Sequence, residues 1–220
     1  MTKKLSKHLV LYIDILGIKD KMLNNESEIY LNIITFFWDY MNSWKKDVIE
    51  ILAAKKVFFK VFSDNICVAI PVSENENNIT ELCYSILTFA QIIYKSAIDK
   101  KLLVRGGIAY GDLYIDENMV YGEALINAYI LESKIAKYPR IVISNDFIKL
   151  LHNEYNEEYE LDFDNLYCIK FLNHINNVQT ERESIYKFLS KEIDKNTSNL
   201  DVQQKYSWVL NKLRKGQKND

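Results

Sequence analysis

The chain has 220 residues, of which 48% are hydrophobic, and its formal net charge at pH 7 is -2. This length fits one domain with an appendage or two small domains, and the near-neutral charge excludes a strong overall attraction to nucleic acid or to a membrane surface. No stretch approaches the roughly 18 uncharged apolar residues of a membrane helix, which excludes a membrane span.

The first half of the chain alternates between apolar strands and amphipathic helices. The predicted elements are a strand, a helix, the two arms of a hairpin and a second helix, over residues 8–15, 28–52, 56–62, 66–72 and 79–97.

The second half contains shorter elements. The stretch LLVRGGIAYGDLYI predicts two strands around a glycine-marked bend, and EALINAYILESKIAKY predicts a helix with Leu125, Tyr129 and Ala136 along one side. RIVISNDF predicts a strand, YELDFDNLYCIKFLN a final strand or hairpin, and the chain is polar and helical from about Thr180.

The order β-α-β-β-α-β predicts an α+β fold with a ferredoxin-like split βαβ core, in which one mixed sheet carries helices on one face. We expect a first domain over 1–175 and a C-terminal helical extension over 176–220. Because many functions share this fold, the fold alone does not decide the function.

The N-terminus and the cysteines indicate the compartment. Asp14 interrupts the first apolar run, which therefore reads as a strand and not as a signal peptide. Cys67, Cys83 and Cys168 share no metal-like spacing and are typical of buried free thiols. We expect a cytoplasmic protein.

Two carboxylates stand at the ends of predicted strands. Asp14 ends the first strand, and Asp64 lies at the tip of the hairpin in KVFSDNICVAIPV. If these strands are neighbours in the sheet, both side chains face the same space, where repulsion and desolvation oppose their charges. Hard oxygen ligands suit Mg²⁺ or Mn²⁺, and two such ions roughly 4 Å apart promote in-line displacement at phosphorus. The alternative is that both aspartates are turn and cap residues.

Glycines support the first reading. Five of the six glycines lie next to the segments discussed here: Gly17, Gly106, Gly107, Gly111 and Gly122. The stretch ILGIKD after Asp14 offers backbone N–H groups in a turn that suits phosphate.

Four motifs together resemble a known family. YIDILGIKD resembles the first metal motif of class III nucleotidyl cyclases, and KVFSDNICVAIP resembles the second. VRGGIAYGDLY resembles their R-x-G-I-x-x-G strand and bend, and VYGEALINAYILE resembles their G-x-x-V-N-x-A stretch. The motifs keep the family's order over residues 9–143. GEALINAYILESKIAKYPRIVIS and the compact size are similar to the small bacterial pyrimidine cyclases of the Pycsar anti-phage system, which make cyclic UMP or cyclic CMP.

The resemblance implies a site and a reaction. Asp14, Asp64 and the backbone carbonyl of Ile15 hold two Mn²⁺ or Mg²⁺ ions, and Ile15, Leu16 and Gly17 contact the nucleotide. The 3′-hydroxyl of a nucleoside triphosphate attacks its own α-phosphorus, and pyrophosphate leaves. The family forms head-to-tail pairs, so the resemblance implies a homodimer with shared sites and an effector protein that binds the product. No nucleic-acid or membrane partner is expected.

The base-reading residues depart from the adenylate cyclase pattern. Lys60 occupies the position of the adenine-reading Lys, but the expected Asp is Met119, three residues before Gly122. A thioether does not accept adenine's amino hydrogen, which favours UTP or CTP over ATP. Asp116 or Glu117 takes this role if the alignment slips.

The transition-state residues also depart from the pattern, because the family's Asn and Arg positions carry isoleucine here. Asn127 is one residue after the position of the family's Asn, and Lys134 follows Asn127 by seven residues. Arg140 and Arg105 are further candidates for donating hydrogen bonds to phosphate. We predict Asn127 and Arg140 as catalytic residues and Lys134 as a nucleotide contact. Surface positions or ion pairs are the alternative for each of these side chains, and a non-catalytic nucleotide- or partner-binding domain is the alternative for the whole chain.

Overall fold

The computed structural model describes residues 4–17, 27–51, 56–73, 79–151, 157–171 and 179–216. The strands are β1 Ser6–Leu16, β2 Phe58–Phe62, β3 Asn65–Pro71, β4 Leu103–Ile115, β5 Val120–Tyr121, β6 Ile141–Ile143, β7 Tyr159–Leu161 and β8 Tyr167–Ile169. The α-helices are α1 Ser27–Ile51, α2 Ile79–Asp99, α3 Glu123–Ile130, α4 Asn145–Ile148, α5 Gln179–Lys195 and α6 Leu200–Gly216. A π-helical turn, Leu131–Ile135, continues α3, and a 3₁₀ turn, Lys149–Leu151, continues α4.

The strands form one mixed sheet in the order β2-β3-β1-β4-β6-β8-β7, and β5 pairs with β4 outside this path. Strand β1 lies between β3 and β4 and is antiparallel to both, whereas β4 and β6 are parallel. The prediction that the first strand and the hairpin are neighbours is confirmed, but the hairpin does not lie in the middle of the sheet, because β2 is an edge strand.

The two faces of the sheet bury different cores. Odd-numbered residues of β1, from Leu9 to Ile15, face the larger core, which α1, α2, α5 and α6 cover. Even-numbered residues, beginning with Val10 and Tyr12, face the other side and pack against Ala128 of α3. This alternation is the period of two that a strand imposes. The predicted α+β fold class is confirmed, and α3 adds a short helix on the second face.

Strand β4 runs without a break through the glycines that predicted a bend, so that prediction is wrong. The glycines allow close approach instead: a Cβ on Gly107 would lie 2.2 Å from the carbonyl oxygen of Ala128. Only small residues of α3 fit against this strand, so Ala124 and Ala128 are buried, while Tyr129 is 48% exposed. Of the side predicted to carry Leu125, Tyr129 and Ala136, only Ala136 is fully buried, and the side that faces β4 is instead the one with Ala124 and Ala128.

The turn after α3 is wider than an α-helical turn. The N–H of Ala136 donates to the carbonyl of Leu131 at 2.7 Å, a separation of five residues. Single π-helical turns occur frequently at functional sites. Here the turn carries Glu132, whose side chain is buried.

The last two helices belong to the same core as the sheet. Their buried side chains in the larger core are Ile185, Leu189, Val209, Leu210 and Leu213. The predicted boundary between residues 175 and 176 lies outside the described ranges, so the division into a domain and an extension stays a prediction. In the part of the chain that the structure describes, no helix has both the length and the apolar character to cross a membrane. The three cysteines are free and buried, as predicted.

Candidate active site

Asp14 and Asp64 lie side by side at one end of the central strands. Asp14 is opposite Arg105 of β4 and Asn65 of β3 in the two antiparallel registers. Asp64 follows Ser63 in the two-residue turn between β2 and β3. The N–H of Ile15 donates to the Asp64 carbonyl at 3.1 Å, which ties the end of β1 to this turn. The structure therefore brings together the two predicted metal-binding residues.

A third carboxylate, Glu132, joins this pair. Burial raises the pKa of Asp14, the nearby Arg105 opposes this shift, and the Asp64 carboxylate adds to it. Burial likewise raises the pKa of Glu132, with further contributions from Asp14 and Asp64 that Arg105 opposes. The three carboxylates thus share one small, partly desolvated space and disfavour one another's charges.

Arg105 lies among these carboxylates but is closer to Glu132. Its Nε is 2.5 Å from Glu132 Oε1 and 3.5 Å from Asp14 Oδ2. The contact to Asp14 is long for a charge-assisted hydrogen bond, so Arg105 leaves the Asp14 carboxylate largely available.

Sequence reasoning missed Glu132. In the sequence it is one polar residue of a predicted helix, and the buried alanine side of α3 was not recognised. Ala124, Ala128 and Glu132 are spaced four residues apart, and this spacing is the signal that could have placed Glu132 on the buried side of the helix.

The donor set suits a hard divalent cation. Asp14, Asp64 and the Ile15 carbonyl are all oxygen ligands, the type that Mg²⁺ and Mn²⁺ prefer. The three neighbouring carboxylates exceed the charge of Arg105, so added positive charge stabilises them. Within the described ranges no group of three or more His, Cys, Asp or Glu side chains forms a complete ligand cluster. A cation held here would therefore take its protein ligands from the two aspartates and the backbone.

A cationic cavity shares Arg105 with this cluster. Its volume is about 370 Å³, and its lining consists of Arg105, Ser133, Lys134, Lys137, Tyr138, Asp201, Gln204 and Lys205. Lys205 lies near enough for its charge to lower the pKa of Asp14, against the larger effect of burial. Of the predicted site residues, Lys134 lies here, next to the acidic cluster.

Lys60 lies on the same face of the sheet as the acidic cluster, but at a different corner of that face. Its Nζ donates to the carbonyl of Glu117, so the structure brings Lys60 to the loop that includes Met119. The Asp116 carboxylate accepts from the N–H groups of Asn118 and Met119 at 2.8 and 2.9 Å. Asp116 therefore holds its own turn, and the alternative in which it reads a base is not supported by this geometry.

An apolar cavity of about 240 Å³ lies beside this corner. It is lined by Tyr12, Phe62, Cys67, Val120, Leu125, Ile126 and Tyr129. Lys60 is directly opposite Cys67 in the hairpin register, so its position in β2 borders the cavity. This combination suits the flat, partly apolar body of a nucleobase.

Two predicted catalytic residues are placed elsewhere. Asn127 is half-buried on α3 and lines neither cavity, whereas Lys134 belongs to the π-helical turn and lines the cationic cavity. Arg140 is 1% exposed, and its guanidinium donates to Asp162 at 2.6 Å and to Asp164. Because both ends of this guanidinium already hold carboxylates in the interior, the prediction of Arg140 as a phosphate donor is corrected to a buried ion pair.

The predicted phosphate-binding turn is only partly described. Leu16 ends β1, and Gly17 follows with φ 81°, a conformation that favours glycine. Residues 18–26 lie outside the described ranges, so the prediction that this turn opens a helix stays a prediction.

Comparison with solved structures identifies the fold. The monomeric guanylyl cyclase domain of the RhoGC fusion protein from the aquatic fungus Blastocladiella emersonii has a TM-score of 0.59 at 14% identity, over 77% of this chain and 98% of that chain. A dimeric form of that domain has a TM-score of 0.56 at 14% identity, over 77% and 98%. The catalytic core of a rhodopsin-guanylyl cyclase with converted specificity, in complex with ATPαS, has a TM-score of 0.55 at 13% identity, over 76% and 96%.

No protein-family model matches the sequence, and no curated protein matches it significantly. The likeness at this identity concerns the fold, which is that of class III nucleotidyl cyclase domains.

Proposed function

We propose that this chain is a metal-dependent nucleotidyl cyclase that converts UTP or CTP to a 3′,5′-cyclic nucleotide and pyrophosphate. The product is a second messenger in anti-phage defence and acts by binding an effector protein, as the resemblance to pyrimidine cyclases implies. The protein works in the cytoplasm.

One observation carries the proposal: on a cyclase fold, Asp14 and Asp64 occupy neighbouring positions beside a cationic cavity. The backbone hydrogen bond from the Ile15 N–H to the Asp64 carbonyl holds Asp14 and Asp64 close together. Their shared electrostatics, with burial and mutual repulsion raising the pKa of Asp14, match a site that binds cations.

The residues of the chain position the substrate and balance its charge. Asp14, Asp64 and the Ile15 carbonyl would hold Mn²⁺ or Mg²⁺, which would supply positive charge for a displacement at phosphorus. Arg105 and Lys134 neutralise the triphosphate from the cavity beside these ligands. Because an in-line displacement at phosphorus needs orientation and charge more than covalent help, this set of residues suffices for the reaction.

The corner around Lys60 supports a pyrimidine base. The side chain at position 119 is a methionine, which offers no acceptor to adenine's amino group, and the neighbouring Asp116 is engaged in its own turn. The apolar cavity beside Lys60, at about 240 Å³, has room for the base. ATP remains the alternative substrate.

An exposed apolar patch supports a homodimer. Its members are all at least 40% exposed: Leu5, Phe62, Met119, Tyr121, Ile126 and Tyr129. Phe62, Ile126 and Tyr129 also line the apolar cavity, so the patch borders the base-binding corner. Exposed apolar patches of this kind mark interfaces. A second copy of the chain docked there places its own residues next to the base.

The test is an incubation of purified protein with Mn²⁺ and each of the four ribonucleoside triphosphates. We expect a single cyclic product, from UTP or CTP. Asp14→Ala and Asp64→Ala proteins each lose more than about 100-fold in rate, because a lost metal ligand removes several kcal/mol of transition-state stabilisation. Asp146→Ala, which changes an exposed surface acid, is the matched control and keeps its activity.

Two outcomes contradict the proposal in different ways. Binding of a nucleotide without turnover indicates the non-catalytic alternative, and a product from ATP alone corrects the base. Activity per chain that does not fall on dilution into monomer contradicts the shared site of the homodimer.

A further inference from the structure

Helix α6, far along the chain from the metal ligands, forms one wall of the cationic cavity. Asp201, Gln204 and Lys205 line this wall, while Arg105 of β4 and Lys134 of the π-helical turn line the opposite side. The cavity therefore exists only when the C-terminal helices are docked on the sheet.

The docking of α6 is specific. The ring of Trp208 stacks on Tyr138 with centroids 5.9 Å apart and an interplanar angle of 13°. Lys212 pairs with Asp162 at 2.8 Å, and Val209 is fully buried. Because residues 205, 208, 209 and 212 share one side of a helix, these contacts fix the direction of Lys205.

The charges of the cavity indicate an anionic ligand. Four cationic side chains and one carboxylate line it, and that carboxylate, Asp201, lies 2.6 Å from Lys205. To the residues that the structure describes, Lys134 and Lys137 make no ion pair. Spread around about 370 Å³, these cations match a chain of several phosphates better than a single small anion.

We propose that Lys205 of α6 is a polyphosphate-binding residue, which makes the C-terminal helices part of the site and not an appendage. Its ligand is the triphosphate of the substrate and the pyrophosphate that leaves. The identity of the nucleotide rests on the proposed function, but the binding of polyphosphate does not. Lys205 approaches Arg105 and Lys134 from a separate element, so it closes the cavity on the phosphates.

Titration calorimetry with inorganic pyrophosphate, on the full chain in metal-free buffer, tests the inference. We expect Lys205→Gln to weaken binding by about tenfold, since one charge-assisted contact is lost. Lys205→Arg keeps the charge and retains binding within about threefold. Lys191→Gln removes an exposed lysine of α5 that does not line the cavity, and leaves the affinity unchanged.

Folding is monitored by thermal unfolding of each variant. The pair of Lys205 with the largely exposed Asp201 contributes little to stability, so Lys205→Gln should unfold at nearly the wild-type temperature. Wild-type protein that does not bind pyrophosphate overturns the inference. So does a Lys205→Gln protein that binds as tightly as wild type, or one that is weakened no more than Lys191→Gln.

The same proteins separate this inference from the proposed function. If pyrophosphate binding depends on Lys205 but no triphosphate gives a cyclic product, the cyclase proposal fails and the polyphosphate site stands. If a cyclic product forms but the titration is insensitive to Lys205, the cyclase proposal stands and α6 has no part in phosphate binding.

Discussion

Two arginine clusters of this protein have opposite electrostatics. Around Arg140, burial opposes ionisation of Asp162, but hydrogen bonds from Lys212, the Phe163 N–H and Arg140 outweigh it and lower the pKa. The hydrogen bond from Arg140 also lowers the pKa of Asp164. Each carboxylate of this cluster has a direct cation partner, including Glu160, which Lys212 also holds, so each charge is stabilised by a neighbour of opposite sign.

Around Arg105, the same residue types are not matched. Burial raises the pKa of Asp14 and of Glu132, and Arg105 does not overcome it. Arg105 must serve two carboxylates, at 2.5 Å and 3.5 Å, while Asp64 adds a third negative charge nearby. The comparison teaches that a balanced buried ion pair holds the fold together, whereas an unbalanced one keeps capacity for a ligand.

The largest expected effect is on stability and comes from a substitution in the cluster around Arg140. Arg140→Met leaves Asp162 and Asp164 without their buried partner, and we expect the free energy of unfolding to fall by about 3–5 kcal/mol. Urea denaturation measures it. The control is Lys149→Met, which breaks an exposed pair with Asp146 and costs at most about 1 kcal/mol. If Arg140→Met lowers the free energy of unfolding no more than the control does, the cluster contributes no more to stability than an exposed ion pair.

The next effect is stabilisation of the folded protein by a cation bound at the cluster around Arg105. At about 100 times its Kd, Mn²⁺ should stabilise the wild-type protein by about 2.7 kcal/mol, because it binds only the folded state. Asp14→Asn and Asp64→Asn proteins should show no such gain in thermal unfolding. An equal gain in all three proteins would mean that Mn²⁺ binds elsewhere.

A smaller effect concerns the partner that holds Arg105. Glu132→Gln removes its closest carboxylate, so Arg105 is free to pair with Asp14 and compete with the cation. We expect Mn²⁺ affinity to weaken by about tenfold, as for other residues that orient metal ligands. Glu123→Gln, at an exposed position of the same helix, is the control in the same titration. Unchanged affinity in Glu132→Gln would limit Glu132 to packing.

The smallest effect is a pH dependence of opposite sign in the two clusters. The raised pKa of Asp14 means that folding favours its protonated form, so its contribution to stability declines as pH rises from 3.8, its ordinary value, through the raised value. The lowered pKa of Asp162 means that its contribution is present above 3.8 and lost as pH falls through the lowered value. Relative to wild type, Asp14→Asn should gain stability as pH rises, and Asp162→Asn should lose it. Urea denaturation between pH 3 and 7, without metal, measures both trends; parallel trends would contradict the comparison.

The sheet and the two aspartates could be predicted because local pattern encodes them. The run before Asp14 is continuous and apolar, and the hairpin arms flank Asp64 at short range. Once β1 and β3 are neighbours, the pairing of the two acids follows from strand register alone. The placement of Lys60 beside the loop with Met119 does not follow from strand register, because it depends on a long-range hydrogen bond to the Glu117 carbonyl.

The rest depends on tertiary contacts that periodicity does not reveal. The glycines of β4 serve close packing with α3, which puts the side with Ala124 and Ala128 against the strand. The partners of Arg140 lie in the β7–β8 hairpin, and Lys205 comes from a helix that looked like a polar extension. Long-range ion pairs carry no signal in a single sequence, because each charge looks like a solvated one until its partner is known.

The wide turn after α3 makes the spacing of this site sensitive to chain length. Deletion of one residue between Leu131 and Ala136 should restore ordinary α-helical winding. The residues on either side of the deletion then turn by about 100° relative to each other around the helix axis, which changes the direction of Glu132 relative to Lys134. Side-chain replacement at these positions leaves that geometry in place. Single-residue deletions and insertions, not point substitutions, are therefore the changes expected to separate the acidic cluster from the cationic cavity in the candidate site.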